Sequence, residues 1–395
     1  MPRLIAALLG LLACRPPSTA PTELAVPTAP RAAEVRYRPW PADGLDAALA
    51  ARLPDGRADA GLSEATRALL GRMVDPRARI RPEVSSLITA RAGYPGPVNY
   101  LKLVNTGGFP EELVQRIAEE SAGDPVDVAL VRRDWSDGVV LWLAGFSRRR
   151  ASVDPLPRDL PLDASLPLRV DSEIPGQLLL FVATPDGPVV EAALSGEATR
   201  WLDLFHTPGP YRVEVVAERE GRAEVVLLFS VFVEQPPDEP PHLAWHPPPP
   251  PDPVTAEAEL YAALDALREA HGLPPVASFP LYEPLAREHS AFMASAGRVG
   301  HQIPGLTAGV AARSDGVVHP KARTYENVAG AMTAEDAHQL VVDSPGHLKN
   351  LLCEPCTHAA IGVALEPVLD RPPRLFVTWE LLEFPNGPSQ RIPPR

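Results

Sequence analysis

The chain has 395 residues, 49 of them proline, and its 37 Lys and Arg against 50 Asp and Glu give a net charge of −13. That balance excludes a whole-chain nucleic-acid binder, whose affinity rests on cationic contacts to phosphate. A hydrophobic share of 45% suffices for packed cores, and no apolar run approaches the ~20 residues of a spanning helix, which excludes a polytopic membrane protein. The length predicts two or three domains, and the alternation of helical and strand texture predicts an α+β chain.

The N-terminus opens with a single early cation, Arg3, then an apolar stretch from Leu4 to Ala13, the pattern of an export signal over residues 1–13. Leu11-Leu12-Ala13-Cys14 resembles the lipobox of bacterial lipoproteins, which implies cleavage before Cys14, its acylation, and anchoring to the lipid bilayer of the cell envelope, the outer membrane foremost, with an extracellular location as the alternative. Residues 14–40, rich in Pro, Ala and Thr, read as an extended tether. A second breaker at 236–254 contains five consecutive prolines, Pro247 to Pro251, and is expected to form a semi-rigid polyproline spacer.

Between these breakers lie two textures. Over 41–152, helical spacing marks Gly44–Leu53, Leu62–Met73 and Pro110–Glu120, and a hairpin is expected from Val126–Val131 and Val139–Phe146 around Asp134–Gly138. Over 153–235, short aliphatic runs at Leu166–Val170, Gln177–Ala183, Val189–Leu194, Tyr211–Glu218 and Glu224–Val233 alternate with Pro- and Gly-rich turns. That spacing predicts a small, Ig-like β-sandwich serving as spacer or adhesive surface. No histidine precedes His206, so a histidine-based site cannot lie in the first of these domains.

The C-terminal domain, 255–386 with a tail at 387–395, carries helical periodicity over Thr255–His271 and Leu281–Ala296, each closed by a glycine. A third helix is expected from Thr333, with Asp336 three residues on. Ser344-Pro345 marks a fourth, the hydroxyl capping a helix with proline in its first turn and His347 just behind. Strands follow at Ala360–Leu365 and Leu375–Phe384.

Taken in order, Leu-Arg-Glu-Ala-His-Gly at 267–272, Gly300-His301, Glu326-Asn327-Val328-Ala329, Ser344-Pro345-Gly346-His347 and Ile361-Gly362-Val363-Ala364 resemble a bacterial domain of the CAP superfamily, which groups cysteine-rich secretory proteins, antigen 5 and pathogenesis-related proteins. The resemblance implies an α/β/α sandwich, secretion, and a cleft in which His301, Glu326 and His347 are the ligand-binding residues. Tyr325 stands where the family has a glycine, and the second acidic residue of many animal members has no counterpart, since Asp343 is out of register. Two imidazoles and a carboxylate are a plausible ligand set for a divalent ion, zinc foremost, and Glu326 is the candidate general base if the cleft is catalytic. His289, on the apolar stripe of its helix, reads as a hydrogen-bonded packing residue, His319 as a solvent-facing loop residue, and His338 and His358 have no evident partner. Cys353 and Cys356, in an exported chain with no second pair, are expected to form a local disulfide.

The leading expectation is an envelope-anchored binding module for an unknown envelope component or small ligand. Metal-assisted hydrolysis of envelope peptide, glycan or lipid is the alternative, and lipid or sterol binding a third. A weak echo between Val126–Val131 with Gly138–Gly145 and Ile361–Glu366 with Leu375–Leu382 adds one expectation: either 41–150 is a degenerate CAP fold, or two generic hairpins coincide.

Overall fold

The structure is a computed structural model that describes residues 44–105, 108–135, 138–185, 187, 189–194, 199–219, 222–244, 252–301, 323–368 and 372–384. The export signal, Cys14, the tether, the run Pro247–Pro251, His319 and the tail lie outside the described residues. The chain is mixed α and β and packs as two compact units, one of Pro253–Gly330 with the chain from Cys353 on, the other running to Asp252 and including Ala331–Leu352. No described helix is long and apolar enough to cross a membrane.

The second unit begins with α1 (Gly44–Ala50), β1 (Gly56–Ala58), α2 (Ala60–Arg72), α3 (Pro82–Ala92), β2 (Asn99–Asn105), α4 (Glu111–Ser121), β3 (Val126–Asp134) and β4 (Val140–Arg148). Asp59 starts α2 in extended conformation, its Oδ1 accepting the Leu62 N–H at 3.0 Å. Pro82 opens α3 and Gly93, with φ of 74°, closes it. The strands lie in the order β1-β3-β4-β2, with β1 parallel to β3 and the other pairs antiparallel. Alternation along the hairpin sorts the core. Val128, Leu130 and Trp142 pack with Leu49 of α1 and Leu113 and Ile117 of α4, while Val131, Leu141 and Leu143 pack with Leu69 of α2 and Ile88 of α3.

The sheet that follows is built of short strands: β5 (Ala151–Val153), β6 (Asp159–Leu160), β7 (Leu166–Leu168), β8 (Val170–Ser172), β9 (Gln177–Ala183), β10 (Val190–Leu194), β11 (Arg200–Leu202), β12 (Gly209–Arg219) and β13 (Arg222–Val233). A five-stranded sheet, β10-β9-β12-β13-β6, shares one core with the pairs β11–β7 and β5–β8, through Leu180, Val213 and Phe229 on one side and Leu166, Val170 and Leu202 on the other. The Tyr211 hydroxyl accepts the Thr207 N–H and donates to the Thr207 carbonyl, both at 3.1 Å, the kind of corner that pins a strand start in sandwich folds.

The spacer expected from Pro236 is, over Pro236–Ala244, laid against this unit. Arg91 donates to the Pro237 and Asp238 carbonyls, Leu243 is buried, and its backbone exchanges bonds with Arg72 and Val74.

The other unit holds α5 (Pro253–Ala270), β14 (Ala277–Ser278), α6 (Glu283–Ala296), β15 (Arg323–Ala331), β16 (Cys356–Leu365) and β17 (Leu375–Glu383). Its strand order is β14-β16-β17-β15, with β14 parallel to β16 and β16 antiparallel to β17. Counted along the chain, both four-stranded sheets therefore run first, third, fourth, second. Helix α6 lies directly on β16 at Gly362, where a Cβ would stand 2.1 Å from the Arg287 nitrogen, so only glycine permits this approach. Arg268, 0% exposed, donates to the carbonyls of Pro274, Cys353 and Cys356 at 2.9, 3.0 and 3.3 Å, joining α5 to the loop closed by the Cys353–Cys356 disulfide.

Candidate functional site

Strand β15 delivers Glu326 and α6 delivers His289; His301 follows α6. His301 Nδ1 is hydrogen-bonded to Glu326 Oε1 at 2.7 Å, and His289 Nδ1 lies 3.5 Å from Glu326 Oε2. His289 is fully buried and also meets Thr378 Oγ1 at 3.3 Å. Thr378 in turn is bonded to Ser290 Oγ at 2.9 Å, and Ser290 donates to the Gly362 carbonyl at 2.8 Å. A polar line thus runs from the half-exposed imidazole of His301 through Glu326, His289 and Thr378 into the contact of α6 with the sheet.

Burial alone would push the Glu326 carboxyl up, but the hydrogen bond and charge of His301, the charge of His289 and a hydrogen bond with Glu380 outweigh it and hold the group below the ordinary carboxylate value. Thr378 and Glu380, two apart on β17, share one face of the strand and are both fully buried. Tyr325, the departure from the family's glycine, donates its hydroxyl to Glu383 Oε2 at 2.9 Å, and burial pushes its phenol up to about 12.

The other expected residues have definite places. His347 sits in the first turn of a helix over Pro345–Leu351, its N–H donated to the capping Ser344 Oγ at 3.4 Å, and this segment belongs to the unit that contains the β-sandwich. Asp343, at the end of the preceding helix Ala334–Asp343, is paired with Arg212 at 2.6 Å. His358 packs edge-on against Phe279 and Phe384, and burial lowers its pKa, as it does that of His338. Among the described residues no three His, Cys, Asp or Glu side chains converge as a metal site. Sequence reasoning placed His289 in the packing, which its burial and its bond to Thr378 agree with. It missed the approach to Glu326, which lies 37 positions away in the chain and leaves no local signal.

The family model for the cysteine-rich secretory protein family matches residues 261–378, under a third of the chain. Among solved structures, the chain is similar to an outer surface protein of Borrelia burgdorferi, at 19% identity and a TM-score of 0.28, covering 33% of this chain and 95% of that one. It is also similar to an extracellular protein containing an SCP domain from Bacillus anthracis, at 18% identity and 0.28, covering 44% and 64%. A third is a cysteine-rich secretory protein from Staphylococcus aureus, at 13% identity and 0.25, covering 59% and 88%. No curated protein gives a significant match. The segment 261–378, with its Gly-His, Glu-Asn-Val-Ala and Ser-Pro-Gly-His motifs, is thus matched as a CAP domain.

Proposed function

We propose that the CAP domain acts outside the cytoplasm as a binding module of the cell envelope, with His301 and Glu326 as its recognition pair. The observation that carries this reading is the nearly buried Glu326 carboxylate held between the imidazoles of His301 and His289, in a domain matched to a family of secreted proteins. A polar group ordered from behind while its outer imidazole reaches solvent is prepared to meet a ligand without reorganising. Its mixed donors and acceptors suit a peptide or glycan fragment of the wall rather than an apolar guest. The lipobox-like Leu11–Cys14 supports export and anchoring, which the mass of the mature N-terminal peptide tests directly.

Zinc is the finer form of this reading. When His301 gives its Nδ1–H to Glu326, the neutral ring offers Nε2 to a metal, and Glu326 becomes the carboxylate that orients the ligand. The described residues supply no converging set of three ligands, so no chemical step is assigned to an ion. The shared strand order also supports reading 41–150 as a degenerate, histidine-free copy of the CAP fold, kept for packing rather than for a site of this kind.

The test is sedimentation of the purified full-length protein with insoluble peptidoglycan, together with zinc analysis after dialysis, for the parent chain, His301→Ala and Glu326→Gln. The reading predicts retention of one of these probes by the parent and its loss in both variants. Retention of neither by the parent, or equal retention by all three proteins, contradicts it.

A further inference from the structure

Strand β12 lies in the middle of the five-stranded sheet, and its Tyr211, Val213 and Val215 point into the sandwich core. Alternation therefore turns Glu214 to the outer face, where a carboxylate on a central strand is ordinarily solvated. Glu214 is instead 2% exposed. Its Oε2 accepts two hydrogen bonds, from Ser344 Oγ–H at 2.8 Å and from the Gly346 N–H at 3.0 Å. Ser344 Oγ in turn accepts the His347 N–H. The carboxylate thus satisfies one orphan N–H of a helix start and commits the capping hydroxyl's hydrogen, so that its lone pair faces the next donor.

The neighbouring strands extend the same grip. Glu191, Phe181 and Glu214 are register partners across β10, β9 and β12, one row on the outer face of the sheet. Lys349 pairs with Glu191 and stands 5.7 Å above the Phe181 ring, so the row holds the Pro345–Leu351 helix at both ends. Arg212, two residues before Glu214, reaches the Val342 carbonyl at 2.9 Å and Asp343 at 2.6 Å.

We propose that Glu214 is a positioning residue for His347, and that the outer face of the five-stranded sheet is the frame that sets the Pro345–Leu351 helix rather than a spacer. The positioning does not depend on the function proposed above. A neutral amide can supply the same single acceptor oxygen, so Glu214→Gln preserves the arrangement, whereas Glu214→Leu removes both bonds and leaves the Gly346 N–H without its partner.

Two readouts on the full chain test this, neither using a ligand: hydrogen exchange over residues 344–351 and the chemical shifts of the His347 ring at fixed pH. Glu214→Leu is expected to speed exchange in that segment about ten-fold and to move the ring signals, with exchange in β16 and β17 unchanged and with Glu214→Gln restoring both readouts. If Glu214→Leu does not fold, Ser344→Ala, which cuts the link between Glu214 and the His347 N–H, is expected to give the same two changes. Parent-like exchange and ring shifts in the folded variant overturn the proposal. Failure of the peptidoglycan and zinc assays, by contrast, bears on the binding function alone.

Discussion

His301 Nδ1 stands 2.7 Å from one oxygen of Glu326 while His289 Nδ1 stands 3.5 Å from the other, so a single carboxylate joins a half-exposed imidazole to a fully buried one. A carboxyl held below its ordinary value of 4.5 adds stability above that pH and loses the contribution as pH falls through its folded value. The parent chain is therefore expected to lose stability on acidification below 4.5 in a step that Glu326→Gln lacks, measured by denaturant unfolding across that range.

Glu214 is predicted to behave in the opposite sense. Burial raises its carboxyl against the pull of the Gly346 and Ser344 hydrogen bonds, and the nearby cations Arg212 and Lys349 are already paired with Asp343 and Glu191. A raised carboxyl contributes most below its unfolded value, and that contribution is lost as pH rises through the folded value. Glu214→Gln is thus expected to lose less stability than the parent between pH 4.5 and neutrality, read as the difference in melting temperature at the two ends.

Arg268 is predicted to be indispensable to the C-terminal domain. Its guanidinium, itself without exposure, is the partner of three carbonyls, of which the bonds to Cys353 and Cys356 are buried, so Arg268→Met leaves these two unsatisfied and is expected to cost about 3 kcal/mol or more. Arg268→Lys is expected to recover only part of this, because an ammonium lacks the planar fork that spans the three acceptors. Denaturant titration of the full-length proteins measures both.

A pair of glycine substitutions separates close packing from mere flexibility. Gly362→Ala drives a methyl to 2.1 Å from the backbone of α6 and is expected to cost several kcal/mol, about 3 or more, or to prevent folding of the C-terminal domain. Gly71→Ala, near the end of α2 with nothing within 4 Å of the added carbon, is expected to be neutral or to stabilise by up to about 1 kcal/mol. Expression and thermal melting of the two variants check the contrast.

Much of the fold was legible because short-range physics wrote it. The Thr333 and Ser344 caps, the glycines closing α5 and α6, and the hairpins at 126–148 and 356–383 each declare themselves within a few residues. Helix α3 escaped notice because its buried positions Val84 and Ile88 are separated by Ser85 and Ser86, poor helix formers that blur the periodicity. Strand β2 escaped because Lys102 interrupts its apolar texture, though it donates to the Ala78 carbonyl. The pairing of His301 with Glu326 followed from motif resemblance, whereas His289 and Glu214 acquire their roles only through tertiary contact. Alternation along β12 says that Glu214 faces outward, and nothing in the local sequence says that residues 344–346 will cover it.

Binding at the His301–Glu326 pair is tested by following the ring signals of His301 and His289 in the full-length protein as soluble peptidoglycan fragments are added. A saturable shift of His301 is expected, with a smaller concerted shift of His289 transmitted through Glu326, and no shift of His358 in its aromatic packing. Rings of His301 and His289 that stay in place at fragment concentrations in the millimolar range would contradict it.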